Sequence, residues 1–287
     1  MRYISFEIEG QASYGLTDSE GVIDLGRQLG SEFPDLRSLI ASQQSSKAQS
    51  LSGSPADYAL GDVRLQIPVP NAGKIFCVGV NYPDRNAEYK DSSQQPKYPS
   101  LFMRTPQTLV GHEQPLMFPP ESEQFDYEGE IVLVIGKSGR RIPQETALEH
   151  IFGLTLANEG SVRDWLRHAK FNVTQGKNFD QSGAMGPWLV PVEEAGDLRK
   201  LDLATHVNGE LRQQDVTGNM MFFFDYLISY ISTFSTLHPG DVIITGTPTG
   251  AGARFDPPKW LVSGDRVEVS CPALGTLGNT VQAESPA

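Results

Sequence analysis

The stretch Phe125–Lys137, FDYEGEIVLVIGK, decides how the rest of the chain is read. Side chains on a β-strand alternate faces, so residues two apart share one. Glu128 and Glu130 are two apart, and Gly129 between them leaves the opposite face bare. Two carboxylates on one strand face repel each other unless both are fully solvated or a cation lies between them. The five residues that follow, Ile131 to Ile135, are apolar and β-prone, the pattern of a strand buried on both faces. A solvated edge does not normally lead into such a core. The pair therefore reads as one side of a metal site, with a solvated acidic loop as the other reading.

Composition bounds the class. The 287 residues suit one large domain, or a small one beside a large one. No apolar run reaches membrane-helix length, and the opening MRYISFEIEG lacks the apolar region of a signal peptide. A cytoplasmic location is expected. The net charge of −12 argues against nucleic acid and anionic membrane as partners. Cys77 and Cys271 lie in separate apolar contexts and read as buried free thiols of a reducing compartment. With 28 Gly and 20 Pro, many short strands joined by tight turns are expected.

Residues 1–68 read as a small N-terminal domain. Ile4, Phe6 and Ile8 share a strand face, turns follow, and a short helix begins near Asp35. Pro68 and Pro70 punctuate the chain before the larger domain, 69–287. Strands are expected at 74–80, 101–104, 153–158, 242–245 and 266–271. Helices are expected at 144–151, at 161–168 from the S-x-x-D spacing of Ser161 and Asp164, and at 220–237, the longest. Residues 115–120 read as a connection. Strands dominate and helices are interspersed irregularly, which predicts an α+β, mainly β fold with mixed sheets.

The glutamate pair needs a third oxygen ligand to hold a hard divalent ion. Glu159, at a strand end, is the natural candidate. Three carboxylates plus waters suit Mg²⁺, Mn²⁺ or Ca²⁺ and not Zn²⁺. Lys177 in QGKNFD would hold a substrate carboxylate or an enolate oxygen beside such a metal; taken alone, a lysine in such a loop is more often a surface lysine. TGTPTGAG at 245–252 lacks the lysine of a P-loop and reads as a tight, pocket-lining loop. No G-x-S-x-G elbow is present, which speaks against a serine hydrolase.

Taken together, the motifs resemble the fumarylacetoacetate hydrolase family over roughly residues 70 to 283. The matching segments are KIFCVGVNY (74–82), PSLFMRTPQTLVGH (99–112), DYEGEIVLVIGK (126–137), GLTLANEGSVRDW (153–165), GKNFDQSGAMGPWLV (176–190), NGELRQ (208–213) and PGDVIITGTPTGAG (239–252). The resemblance implies a rolled mixed β-sandwich catalytic domain with a small N-terminal α/β domain. It implies Mg²⁺ or Mn²⁺ held by Glu128, Glu130 and Glu159, a 2-oxo acid substrate, and a homodimer. Lys177 and Thr247 would bind the 2-oxo acid. Apart from the resemblance, Tyr82, Arg104 and Gln213 are read as substrate-binding, and the polar neighbourhood of Arg85, Arg104 and Gln213 points to a polyhydroxy or acidic substrate tail. Two positions depart from the family pattern. Glu159 stands where many members have Asp. The Y-x-x-H-x-x-E pattern reads Tyr82, Arg85, Glu88, and arginine cannot act as a general base at neutral pH.

The resulting expectation is a Mg-dependent hydrolase of a C–C bond in a 2,4-dioxo acid, releasing pyruvate or a related 2-oxo acid. Glu88 would activate the water, Lys177 would stabilise the leaving enolate, and Arg85 would pair with Glu88 or grip a carboxylate. Within the family, the branch acting on 2,4-diketo-3-deoxy sugar acids such as rhamnonate derivatives resembles this chain in lacking that histidine. The alternative is an isomerase or decarboxylase of a 2-oxo diacid such as oxaloacetate or an aromatic-degradation intermediate, which needs no attacking water. A catalytically inactive binding protein is the third reading, and the intact glutamates speak against it.

Overall fold

A computed structural model describes residues 1–18, 21–83, 96–168 and 172–285. The Gly129–Ile135 strand lies inside the largest sheet, with all seven residues buried. It pairs antiparallel with Ile151–Asn158 on one side and Val242–Ile244 on the other. Ile131, Leu133 and Ile135 enter one core, while Val132 and Val134 enter a second. An unbroken apolar run is what a strand between two cores requires.

The large sheet extends past Ile151–Asn158 to Gly183–Pro191 and Arg2–Ile8, and past Val242–Ile244 to Ile75–Val78 and Leu101–Arg104. Val242–Ile244 and Ile75–Val78 run parallel and most other pairs antiparallel, so the sheet is mixed. A second sheet orders Glu210–Val216, Asp202–Val207, Arg266–Cys271, Gly275–Ala283 and Leu116–Phe118. Leu203, Val269 and Leu277 from that sheet meet Leu133 and Leu154 from the first in the larger core. The Phe224–Phe234 helix closes one end of it with Leu227, Ile228 and Ile231. The product is the expected mainly-β sandwich.

In the N-terminal part, Arg2–Ile8, Gln11–Thr17 and Gly21–Asp24 form an antiparallel meander. The Leu36–Ser42 helix begins at Asp35, whose side chain accepts the Ser38 N–H in a reciprocal capping box. Its Leu36, Leu39 and Ile40 share the second core with Val132 and Val134. Cys77 and Cys271 are buried free thiols, as read.

Four expectations are corrected. Residues 161–168 do not form one helix: Ser161–Val162 is a strand paired with Phe125–Asp126, and only Trp165–Arg167 turns, as a 3₁₀ helix. The Ser161 hydroxyl does not cap; it is within 3.4 Å of Glu128 Oε2. The long helix is shorter than 220–237, because the Met221 and Phe222 N–H groups are taken by the Asn81 carbonyl and side chain at 2.8 Å each. Leu116–Phe118 is a strand and not a plain connection. The hairpin of Asp202–Val207 and Glu210–Val216, unforeseen, turns at Asn208-Gly209 with φ of 51 and 79. Asn-Gly between two extended runs is the signal that marks it.

Candidate metal centre and substrate cleft

Antiparallel register builds the centre. Gly129 lies opposite Asn158, which places Glu159, one residue on, beside Glu128. The Glu159 N–H donates to the Glu128 carbonyl at 2.7 Å, and the Glu128 N–H donates to Asn158 Oδ1 at 3.0 Å. One oxygen from each of Glu128, Glu130 and Glu159 lies within 4.8 Å of the other two, and all three residues are buried. Full like charges at that spacing repel by roughly 3 kcal/mol or more per pair at an effective dielectric near 20. Burial first, and then the Glu159 and Glu128 charges, push the Glu130 carboxyl well above its ordinary range. Gly246 answers only in part, donating its N–H to Glu130 Oε2.

Cations surround the triad. Lys177, at the end of the short Thr174–Lys177 helix, places Nζ 2.5 Å from Glu128 Oε2 and 2.9 Å from Glu159 Oε2. Burial would lower the ammonium pKa, but the Glu128 and Glu159 charges outweigh it and hold it above the usual lysine value. Arg163 bridges Glu128 Oε1 at 2.8 Å and Asp126 Oδ2 at 2.7 Å. Glu159 Oε1 is buried with no hydrogen-bond partner, and Arg104 Nη1 is 3.8 Å away. An all-oxygen set with an orphaned buried carboxylate oxygen and a carboxyl strained by like charge fits a hard divalent cation. Glu128, Glu130 and Glu159 would hold it. A cleft of ≈ 780 Å³ opens beside them, with Glu128, Arg163, Lys177, Phe102, Val80 and Asn172 on its wall.

The other candidate residues fall into four groups. Gln213 and Thr247 come together behind the strand and brace Gly129. Gln213 Oε1 accepts the Gly129 N–H at 2.9 Å, and Thr247 Oγ1 donates to the Gly129 carbonyl at 2.9 Å. Gln213 Nε2 also donates to Thr247 Oγ1 and the Pro248 carbonyl. Arg104 is likewise buried, and donates to Thr108, Gly160 and Ser182. Tyr82 is buried in the larger core with an unpartnered hydroxyl, whose pKa is raised by burial and then by Asp215 and Glu130. Arg85 and Glu88 lie outside the described residues. Asp126, Asn158 and Arg163 were not singled out by the sequence reading, and Ser161 only as a helix cap, although all four lie within the quoted DYEGEIVLVIGK and GLTLANEGSVRDW segments.

Comparison with known proteins gives four findings. The fumarylacetoacetate (FAA) hydrolase C-terminal family matches residues 74–282. The oxaloacetate tautomerase YisK of Bacillus subtilis (strain 168) is 41% identical over 227 residues, 78% of this chain and 75% of that protein. The mitochondrial oxaloacetate tautomerase fahd2 of Xenopus laevis is 39% identical over 223 residues, 77% of this chain and 69% of that protein. Among solved structures, maleylpyruvate hydrolase from Sphingobium sp. SYK-6 in complex with manganese (II) ion and pyruvate is similar, with a TM-score of 0.82 and 25% identity, covering 99% of this chain and 100% of that one.

Proposed function

The chain belongs to the fumarylacetoacetate hydrolase family, and from that premise we propose that it is a metal-dependent tautomerase, interconverting the keto and enol forms of a 2-oxo diacid such as oxaloacetate. This corrects the expected C–C bond hydrolase. The similar YisK and fahd2 proteins, at 41% and 39% identity, are oxaloacetate tautomerases. Proton exchange beside a carbonyl needs a proton carrier but no attacking water, so an arginine at position 85 is compatible with it when Glu88 carries the proton. The observation that carries the reading is the buried Glu128, Glu130 and Glu159 triad beside a cleft whose wall holds a charged Lys177.

Held by the triad, Mg²⁺ or Mn²⁺ would polarise the 2-oxo oxygen and favour the enolate. Lys177 keeps its proton on Nζ and supplies positive charge for a substrate carboxylate or the enolate oxygen. Arg163 holds Glu128 in place from the side of Asp126. Gln213 and Thr247 fix the Gly129 peptide, and with it the splay of the two glutamates. Glu88 is proposed to carry the proton at the carbon beside the carbonyl, and Arg85 to orient Glu88 or the distal carboxylate. Residues 1–68 as a small N-terminal domain that joins the large sheet through Arg2–Ile8, a homodimer and a cytoplasmic location belong to the same proposal, although the Xenopus relative is named as mitochondrial.

The test follows enol-oxaloacetate by its ultraviolet absorbance with Mn²⁺ or Mg²⁺ present. Interconversion is expected well above the buffer rate, abolished by EDTA and by Glu128→Gln, without release of pyruvate from acetylpyruvate. An unchanged tautomer rate, with acetylpyruvate cleavage or CO₂ release from oxaloacetate instead, rejects the reading.

A further inference from the structure

The Lys177 ammonium sits on oxygens of two of the three glutamates that would hold a divalent ion. Both oxygens of Glu128 are engaged by cations: Oε1 by Arg163 Nη2 at 2.8 Å and Oε2 by Lys177 Nζ at 2.5 Å. Glu159 differs. Its Oε2 takes Lys177 at 2.9 Å, while its Oε1 is buried without a hydrogen-bond partner. Glu159 can therefore present an oxygen to a metal with no hydrogen bond broken, the Arg104 guanidinium lying 3.8 Å from it. At Glu128 each oxygen already faces a cation, and Oε2 the Ser161 hydroxyl as well, so an incoming metal competes there with one of its cations.

The two cations are not equally fixed. Arg163 is tied through Nε to Asp126 at 2.7 Å. Asp126 is fully buried and is itself fixed by the N–H groups of Tyr127, Gly252 and Ala253. Lys177 ends a four-residue helix on the cleft wall. Its charge is a compact point on a flexible stem, 5.2 Å from the Phe102 ring that also faces the cleft. Release therefore falls to Lys177.

We propose that Lys177 is an exchangeable cation: a divalent ion takes Glu128 Oε2 from it, and the displaced ammonium turns into the cleft to bind the substrate's carboxylate. The inference rests on the metal-dependent reading above and adds an order to it, metal before oxo acid. Thermodynamic linkage makes the coupling reciprocal. The ammonium weakens metal binding, and the metal frees the ammonium for an anion.

The experiment titrates the full chain with Mn²⁺ calorimetrically as wild type, Lys177→Met and Lys177→Gln, then with oxalate as an unreactive dicarboxylate. Both variants are expected to bind Mn²⁺ about tenfold or more tighter than wild type, the scale of one charge-assisted contact no longer broken on binding. They are expected to bind oxalate more weakly than wild type when Mn²⁺ is present. Amine acylation of the wild-type chain, read by peptide mass spectrometry, needs no variant: Lys177 is expected to react faster with Mn²⁺ than without. Variants that bind Mn²⁺ no tighter than wild type, or a Lys177 acylation rate that Mn²⁺ does not raise, overturn the exchange. A wild-type chain that binds no Mn²⁺ overturns both the exchange and the metal-dependent function. Exchange observed in a chain that leaves oxaloacetate tautomers unchanged supports the inference and rejects only the proposed function.

Discussion

Arg104 donates to Thr108 Oγ1, the Thr108 and Gly160 carbonyls and Ser182 Oγ, at 2.9 to 3.3 Å. Gly160 follows Glu159 directly, so the guanidinium fixes the turn that presents the third glutamate. Burial pulls its pKa down, against the opposing pull of Glu159. Arg104 also lines the cleft, where the sequence reading put it on the substrate side; a charge so committed to backbone and hydroxyl acceptors is proposed to act as a positioning group. Arg104→Met would leave buried acceptors without donors and Glu159 without this counter-charge. A stability loss of about 3 to 5 kcal/mol is expected in urea unfolding, the range for breaking a buried pair from one side. A loss below about 1 kcal/mol, typical of exposed ion pairs, would return Arg104 to the pool of ligand-binding residues. The glutamates were legible because two carboxylates at strand spacing before an apolar run are chemically conspicuous. Asn158 and Ser161 were not, because each acts on a carboxylate or its backbone through a hydrogen bond that only strand pairing creates.

At the scale of elements, Gly129 joins the metal centre to the packing of the two sheets. A Cβ built there would meet Thr205 Oγ1 of the Asp202–Val207 strand at 2.0 Å. The bare face between the two glutamates is thus the space into which the second sheet's threonine fits. Gly129→Ala is expected to cost about 1 to 3 kcal/mol by overpacking. Adding Thr205→Ala removes the obstructing hydroxyl and should recover most of that loss, which a double-mutant cycle by chemical denaturation measures. Strictly additive effects would sink the assignment. The same two elements show what pattern reading can reach. Gly129–Ile135 was visible because both of its faces are apolar. Glu210–Val216, ELRQQDV, has a buried residue only at Gln213. With no apolar face to reveal it, it becomes a strand because its neighbour and the Asn-Gly turn hold it there. The helix expected at 161–168 failed for the converse reason: a local capping signal yielded to the pairing of Ser161–Val162 with Phe125–Asp126.

Across the whole molecule, the two sheets are clamped where residues 111–114 leave the first. The Glu113 N–H donates to the Gly278 carbonyl at 2.8 Å, and Asn279 Nδ2 donates to the Gly111 and Gln114 carbonyls at 2.8 Å each. His112 Nδ1 completes the clamp, accepting the Gly278 N–H at 2.9 Å. Only a ring unprotonated at Nδ1 can accept that bond. Burial lowers the His112 pKa from its ordinary 6.5, aided by Arg266 and opposed by Glu113 and Glu268. The unfolded chain therefore takes up a proton at this residue before the folded chain does. Stability contributed by the clamp is present above pH 6.5 and is lost as pH falls below it towards the lowered folded value. Asparagine at this position offers an oxygen to the same N–H and does not titrate. Melting temperatures of wild type and His112→Asn, taken at about pH 7.5 and about pH 5.5, isolate the effect in the histidine range, because every other titrating group is shared by the two chains. The wild-type melting temperature is expected to fall more over this interval than that of the variant. Equal falls would show that protonation of His112 does not loosen the junction between the sheets.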